Sequence, residues 1–414
     1  MKIAVWHNLP FCGGFRQVHY HVKGLAARGH CIHAWRPDVP TCARLSDLVE
    51  ETSTPCHLRT PPWPNGTFRQ AWWMLRNAQT HILALREHCR QVALQAEKAH
   101  CEVAFVNVGI PDRASPLGRY ARMPALLYLQ EPRRELFEAQ NGIHWKAIQP
   151  PGRRFGSPAY WKWWLEDQVE LHGRRLKARE EYDNARAYDT ILVNSLYSRE
   201  SVMRAYGLES KVCYLGIDTD LFRPLSIPKE RFVIGVGAVT RKKGIDRALK
   251  ALGTIGPQKR PALVWVGNGV DPAYLAEIQR LAATLGVDFR HDIMVAEQKL
   301  VELLNRAAVM LYTSRLEPFG LAPLEANACE TPVVAIAEGG IRETIAHGLN
   351  GLLVSDDNPA LLGAAVLELL DNPRQARDMG SRARKHVLEN WNWEQAIDRL
   401  EQHLLELAGK TTAA

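Results

Sequence analysis

The sequence predicts an α/β chain built from two doubly wound, parallel-sheet domains, and three observations carry that prediction. Short apolar runs alternate with helix-patterned segments through all 414 residues, which is the signature of parallel βαβ units. A buried strand running into a glycine-bearing turn and a helix occurs twice, in Ile3–Gly14 "IAVWHNLPFCGG" and in Phe232–Gly244 "FVIGVGAVTRKKG". A hydrophobic share of 46% over this length exceeds one comfortable core, so two domains are expected.

Taken in order, the strands of the first half are expected at Lys2–His7, Cys31–Arg36, Glu102–Val106, Ala125–Gln130, Thr190–Asn194 and Val212–Leu215. Those of the second are expected at Phe232–Gly237, Ala262–Gly267, Val309–Thr313 and Val333–Ala337, with helices between them. Periodicity breaks at Gly216–Arg231 "GIDTDLFRPLSIPKER", where Gly, Asp and two prolines interrupt it. The expected domains are therefore 1–222 and 223–389. Ligands of such sheets gather at the carboxyl ends of the strands, so two facing sheets would hold a site in the cleft between them.

Composition excludes several classes. The apolar runs, such as Pro261–Gly267 "PALVWVG", fall far short of the ~20 residues that span a bilayer. The opening "MKIAVWHNLP" reads as a first strand, because its apolar stretch is too short for a secretion signal. Eight cysteines lie scattered without a C-x-x-C pair, which argues for reduced core thiols and a cytoplasmic protein rather than a zinc or disulfide framework. A formal charge of +7 suggests an anionic partner. Between Trp145 and Arg179, eight Lys and Arg face three acids, interleaved with Phe155, Tyr160, Trp161, Trp163 and Trp164. That mixture suits contact with a membrane surface through 145–179, or equally a solvated helix whose tryptophans pack on their own domain.

The chemistry concentrates at Glu317–Glu325, "EPFGLAPLE". Proline is tolerated only in a helix's first turn, so Pro323 sets a helix start near Leu321. Glu317 then lies on the preceding loop and Glu325 within the opening turns, with the Phe319, Gly320 and Leu321 amides between them. Two carboxylates and free amides suit the hydroxyls of a polyol. The alternative is that Glu325 merely complements the helix dipole. Arg241, Lys242 and Lys243 follow a strand after Gly237, and Gly13–Gly14 open the first helix, both positions where anions bind readily. Polyol site, cationic loop and glycine turn together describe a nucleotide-sugar site.

At these residues the chain resembles the retaining glycosyltransferases of family 4, which have the GT-B fold, two facing Rossmann-like domains with a cleft between them. The specific stretch is Glu317–Val354, "EPFGLAPLEANACETPVVAIAEGGIRETIAHGLNGLLV", supported by "VNSLYSRE", "GIDTDLFRP", "VGNG" and "ENWNWEQ". The resemblance implies that the last helix, within 390–414, returns to the N-terminal domain. It implies that Glu317 and the Phe319–Leu321 amides hold the donor hexose and that Glu325 holds the ribose. Lys243 would meet the diphosphate opposite Gly13 and Gly14, with Gly237 in the same loop and Ile293 beside the base. Glu317 and Lys243 are the catalytic pair it implies. No metal or cofactor is implied; the donor would be a UDP-, GDP- or ADP-sugar, the acceptor a glycan or lipid-linked precursor of the cell envelope, at the inner membrane face.

The chain departs from that pattern at three points. Ala238 stands where relatives carry an arginine, so Arg241 or Lys242 is expected to take over part of its phosphate contact. Gln130 stands where relatives often carry a histidine near the sugar, and Glu330 where glycine is common. His7, Gln130 and Asn194 are the acceptor-side candidates, although strand-end packing or turn formation explains His7 and Asn194 equally. Asp218 and Asp220 are read as turn residues, and Glu343 as a residue that orders the sugar loop. Rival functions are a sugar-nucleotide epimerase or a phosphorylase of the same fold, and a basic nucleic-acid-binding protein. The first two lack their extra acid/base or pyridoxal-phosphate lysine context, the third any recognised motif.

Overall fold

The computed structural model describes residues 1–11, 13–56, 67–110, 112–137, 154–355 and 358–409. They form two compact units, the first Met1–Val193 with Ser198–Cys213 and the chain from Arg399, the second Asn194–Tyr197 with Tyr214–Asp398.

The first unit contains β1 (Lys2–Trp6), α1 (Gly13–Ala27), β2 (Cys31–Pro37), β3 (Glu50–Thr54), α2 (Thr67–Lys98), β4 (Val103–Asn107), β5 (Ala125–Gln130), α3 (Arg134–Phe137), α4 (Pro158–Ala185), β6 (Thr190–Val193), most of α5 (Leu196–Tyr206) and β7 (Lys211–Val212). Its seven strands run in the order β3-β2-β1-β4-β5-β6-β7 with every pairing parallel. Alternate residues of the central strands, Ala4 and Trp6, Ala104 and Val106, Leu127 and Leu129, face Leu85, Cys89, Val92 and Ala96 of α2 and build one core. On the opposite face Phe15, Val18 and Val22 of α1 are buried.

The second unit contains β8 (Glu230–Val236), α6 (Ile245–Gly253), β9 (Ala262–Gly267), α7 (Pro272–Leu285), β10 (Phe289–Ile293), α8 (Glu297–Arg306), β11 (Ala307–Tyr312), α9 (Leu321–Ala328), β12 (Val333–Ile336), α10 (Ile341–Thr344), β13 (Gly351–Val354), α11 (Pro359–Asp371) and α12 (Pro373–Asn390). Its order, β10-β9-β8-β11-β12-β13, is again wholly parallel. The last helix, α13 (Trp393–Leu407), begins in the second unit and from Arg399 belongs to the first, where Glu401 pairs with Arg28 and His30.

Two parallel, doubly wound sheets match the expected fold class. Three strands were not legible in the sequence, β3 "EETST", β10 "FRHDI" and β13 "GLLV", and all three are sheet edges. An edge strand pairs on one side only and needs no long apolar run.

No described helix is long and apolar enough to cross a membrane. The segment read as basic and aromatic is divided by the structure. Trp145, Lys146 and Arg153 lie outside the described residues. In α4, Arg174 donates to Glu170 at 2.6 Å, while Phe155, Trp161 and Trp164 are exposed. Of the positive charge counted in sequence, Arg174 is matched within the helix itself.

Candidate functional site

In the second unit the strands β8 and β11 lie side by side, and the loops leaving them are clasped together. Thr313 donates its hydroxyl to the Gly244 carbonyl at 2.8 Å, and Ser314 contacts the Lys242 carbonyl at 3.4 Å. This aims Lys243 across the gap between the loops. Its ammonium lies 2.9 Å from Glu317 Oε2, and Ser314 Oγ donates to the same oxygen at 2.7 Å. Both side chains remain partly accessible, at 28% and 19%.

The electrostatics follow from that geometry. Burial works against ionisation of Glu317, but the Lys243 charge, with hydrogen bonds from Lys243, Ser314 and Tyr312, holds its carboxyl down at about 2. Burial likewise opposes the charge on Lys243, yet Tyr312 and Glu317 keep it above the ordinary lysine range. The site thus carries a fixed carboxylate and a fixed ammonium at any pH near neutrality.

The loop holding Glu317 is set by glycine chemistry behind it. Gly340 donates its amide to the Glu317 carbonyl at 2.8 Å, and a Cβ there would fall 2.0 Å from the Pro318 carbonyl oxygen. Gly320, at φ +95°, caps α9, and a Cβ on it would meet Ile341 Cδ1 at 2.3 Å. The helix therefore starts at Leu321, as Pro323 requires, and Phe319 is buried. Glu325 follows in the second turn, 3% exposed. At the far end Glu330 takes the left-handed conformation, φ +56°, that a glycine would adopt freely.

The remaining predicted residues fall in several places. Gly237, at φ +150°, lies against the Lys243 side-chain stem. Arg241 lies exposed on this turn, where its Nη1 donates to Glu277 Oε1 at 3.1 Å and its guanidinium rests 5.1 Å from the Tyr274 ring centre. Lys242 is exposed on the same turn, and Ile293 ends β10 half-buried. In the first unit Gly13 and Gly14 open α1, whose first turn carries no acidic residue. His7 is a correction, since it is fully buried rather than open to a ligand. Its Nε2 lies 3.9 Å from Glu51, itself paired with Arg36, and burial lowers its proton affinity. Gln130 closes β5 at φ +62° with its Nε2 unpaired among the described residues. Asn194 is buried after β6. Glu343 accepts the Leu196 and Tyr197 amides at 2.8 and 3.0 Å and the Tyr214 hydroxyl at 2.9 Å.

Sequence reasoning missed Tyr312, Thr313 and Ser314. The available signal was three hydroxyl-bearing residues at the end of an apolar strand and just beyond it, upstream of Glu317.

Residues 217–386 match the family model described as glycosyl transferases group 1. D-inositol 3-phosphate glycosyltransferase 1 of Catenulispora acidiphila is 29% identical over 236 residues, 52% of this chain and 56% of the relative. The chain thus spans about half the length of that relative. Alpha-maltose-1-phosphate synthase of Mycolicibacterium smegmatis is 30% identical over 279 residues, 60% of this chain and 70% of that protein. Among solved structures, sucrose-phosphate synthase from Thermosynechococcus elongatus shares the fold at TM-score 0.70 and 20% identity, covering 99% of both chains. On the matched C-terminal sequence and the relative covered over 70% of its length, this chain belongs to the group 1 glycosyl transferases.

Proposed function

We propose that the protein is a family 4 enzyme that transfers a hexosyl unit from a nucleotide-diphosphate sugar to an acceptor hydroxyl, with retention at the anomeric carbon and without a metal. The observation that carries this reading is the Lys243–Glu317 pair at 2.9 Å beside the amides that begin α9. Lys243 offers a fixed positive charge to a departing diphosphate, and Glu317 a fixed acceptor for hexose hydroxyls. Neither needs a proton change during the reaction. The sugar passes through an oxocarbenium-like state. The acceptor oxygen bonds to the anomeric carbon as the bond to the diphosphate breaks, and its proton goes to the leaving phosphate. Glu325 is assigned to the ribose, and the α1 amides at Gly13 and Gly14 to the diphosphate.

The relatives' names include inositol phosphate and maltose-1-phosphate chemistry, which supports a glycan or polyol acceptor in cell-envelope or polysaccharide synthesis. A lipid-linked acceptor at the inner membrane face is the companion proposal, supported by exposed Phe155 just before α4 and exposed Trp161 and Trp164 in its opening turns. Replacing Trp161 and Trp164 with Ala, together with Arg175 and Arg179, should reduce co-sedimentation with anionic vesicles; undiminished binding removes the membrane part.

The deciding experiment is turnover with a panel of UDP-, GDP- and ADP-sugars. Glu317→Gln is expected to lower kcat by roughly 100-fold or more, and Lys243→Ala to raise donor KM as its main effect. Near-normal turnover in Glu317→Gln overturns the assignment.

A further inference from the structure

The loop that carries Glu317 has a support from behind that the transfer chemistry does not itself use. Helix α10 is a single turn of four residues, too short to hold its shape by its own hydrogen bonds. Its place must come from its neighbours, which it meets on two sides. Toward the loop, the Gly340 amide just before α10 donates to the Glu317 carbonyl at 2.8 Å, and the Thr344 hydroxyl donates to the Phe319 carbonyl at 3.3 Å. The fit is backbone against backbone, since a Cβ on Gly339 would lie 2.5 Å from the Glu317 carbonyl oxygen. A shift of α10 therefore carries the backbone of residues 317–319 with it.

On the other side the Glu343 carboxylate engages both of its oxygens. Oε1 accepts the Tyr197 amide at 3.0 Å, while Oε2 accepts the Leu196 amide at 2.8 Å and the Tyr214 hydroxyl at 2.9 Å. Leu196, Tyr197 and Tyr214 belong with Glu343 to the second unit. Leu196 and Tyr197 open α5, whose own first turn carries no acidic residue, so a negative charge from α10 meets the positive end of that helix. Tyr214 closes the circuit. Its ring lies 6.3 Å from that of Phe319 and 5.3 Å from that of Trp391, and the Phe319 and Trp391 rings are 5.5 Å apart. One carboxylate thus holds the 317–319 backbone by two routes, through Gly340 and through Tyr214.

We propose that Glu343, together with Tyr214, is a positioning residue that sets Glu317 for hexosyl transfer, an inference that rests on the transferase reading above. Glu343 acts on Glu317 through the backbone and leaves the Lys243–Glu317 ion pair in place. Its removal costs orientation of the hexose rather than affinity for the nucleotide. Glu343→Gln tests this with little change of shape. A carboxamide offers one oxygen where two carboxylate oxygens accept, so whichever way it turns, its NH2 group faces the N–H of Leu196 or of Tyr197.

The experiment uses the full chain and the nucleotide sugar that it turns over fastest. In Glu343→Gln, kcat per site, with sites counted by nucleoside diphosphate titration, should fall about ten- to a hundredfold while the Kd for the nucleoside diphosphate stays the same. Tyr214→Phe keeps the ring against Phe319 and removes one donor. It should lower kcat in the same way by about two- to tenfold, and it serves if Glu343→Gln fails to fold. Hydrogen exchange in segments 316–321 and 339–344 should quicken in both variants. In a Glu317→Gln background, Glu343→Gln should lower kcat no further, because it acts through Glu317. Three results each overturn the proposal: unchanged kcat and exchange in Glu343→Gln, losses that multiply in the double variant, or a kcat loss matched by an equal loss of nucleoside diphosphate sites. A parent chain that turns over no UDP-, GDP- or ADP-sugar sinks the transferase reading instead, and the exchange comparison then still decides whether Glu343 holds the loop.

Discussion

Glu317 and Lys243 each make the other affordable in a partly buried loop, and that dependence can be read in stability as well as in turnover. The folded-state pKa of Glu317, about 2, lies below the ordinary 4.5. Its contribution to stability is therefore complete above about pH 4.5 and lost as the pH falls toward about 2. Lys243→Met leaves a shielded carboxylate with Ser314 but no cation, and should cost about 3 kcal/mol at neutral pH. At low pH the carboxyl is protonated in the variant and the penalty shrinks. Tm measured at pH 3 and pH 6 in both proteins checks this: the gap between them should be wider at pH 6. A gap that is constant, or wider at pH 3, means that the pair does not govern the stability of this loop.

At the scale of elements, α9 is fixed at its C-terminal end by a buried amide pair. Asn350 Nδ2 donates to Asn327 Oδ1 at 2.9 Å, and Asn327 Nδ2 donates back to the Asn350 carbonyl at 3.0 Å; both residues are fully buried. Arg384 of α12 adds donations to the Ala328 and Phe222 carbonyls at 3.1 and 2.7 Å. Asn327→Leu would strand the Asn350 carbonyl and one of its two side-chain N–H groups, the other keeping the Thr344 carbonyl, and should destabilise the second unit by about 2 kcal/mol, read as a fall in urea midpoint with the slope unchanged. A loss under ~0.5 kcal/mol would show that the pair is not what holds the helix. These partners mark how far the sequence could be read. The start of α9 was legible because Pro323 and Gly320 act locally, each through its own backbone. The Asn327–Asn350 bond joins residues 23 apart and Ser314 acts through a neighbouring loop, so no local pattern signals either. The burial of His7 was hidden for the same reason, because its neighbours Glu51, Cys42 and Phe15 come from other parts of the chain, Glu51 from an edge strand without an apolar run.

Across the whole molecule, the two doubled sheet patterns were visible in sequence because each central strand is buried on both faces. The point of division was less so. Local composition breaks at 216–231, whereas the chain leaves the first unit between Cys213 and Tyr214. What decides it is long-range: Tyr214 packs with Phe319 and Trp391 and bonds Glu343. Each unit owns a complete core, one around Trp6, Trp35 and Leu127, the other around Trp265, Leu249 and Val309. Units with separate cores unfold as separate steps unless a large apolar surface joins them. Calorimetry of the full chain should therefore give a calorimetric enthalpy larger than the van't Hoff value. A nucleoside diphosphate at about 100 times its Kd should add about 2.7 kcal/mol to the unit that binds it. If Lys243 and Glu317 supply most of the donor contacts, only one of the two steps should move, and Lys243→Ala should abolish that movement. Equal displacement of both steps would mean that the nucleotide is held by the two units alike, with the Gly13–Gly14 amides contributing as much as Lys243.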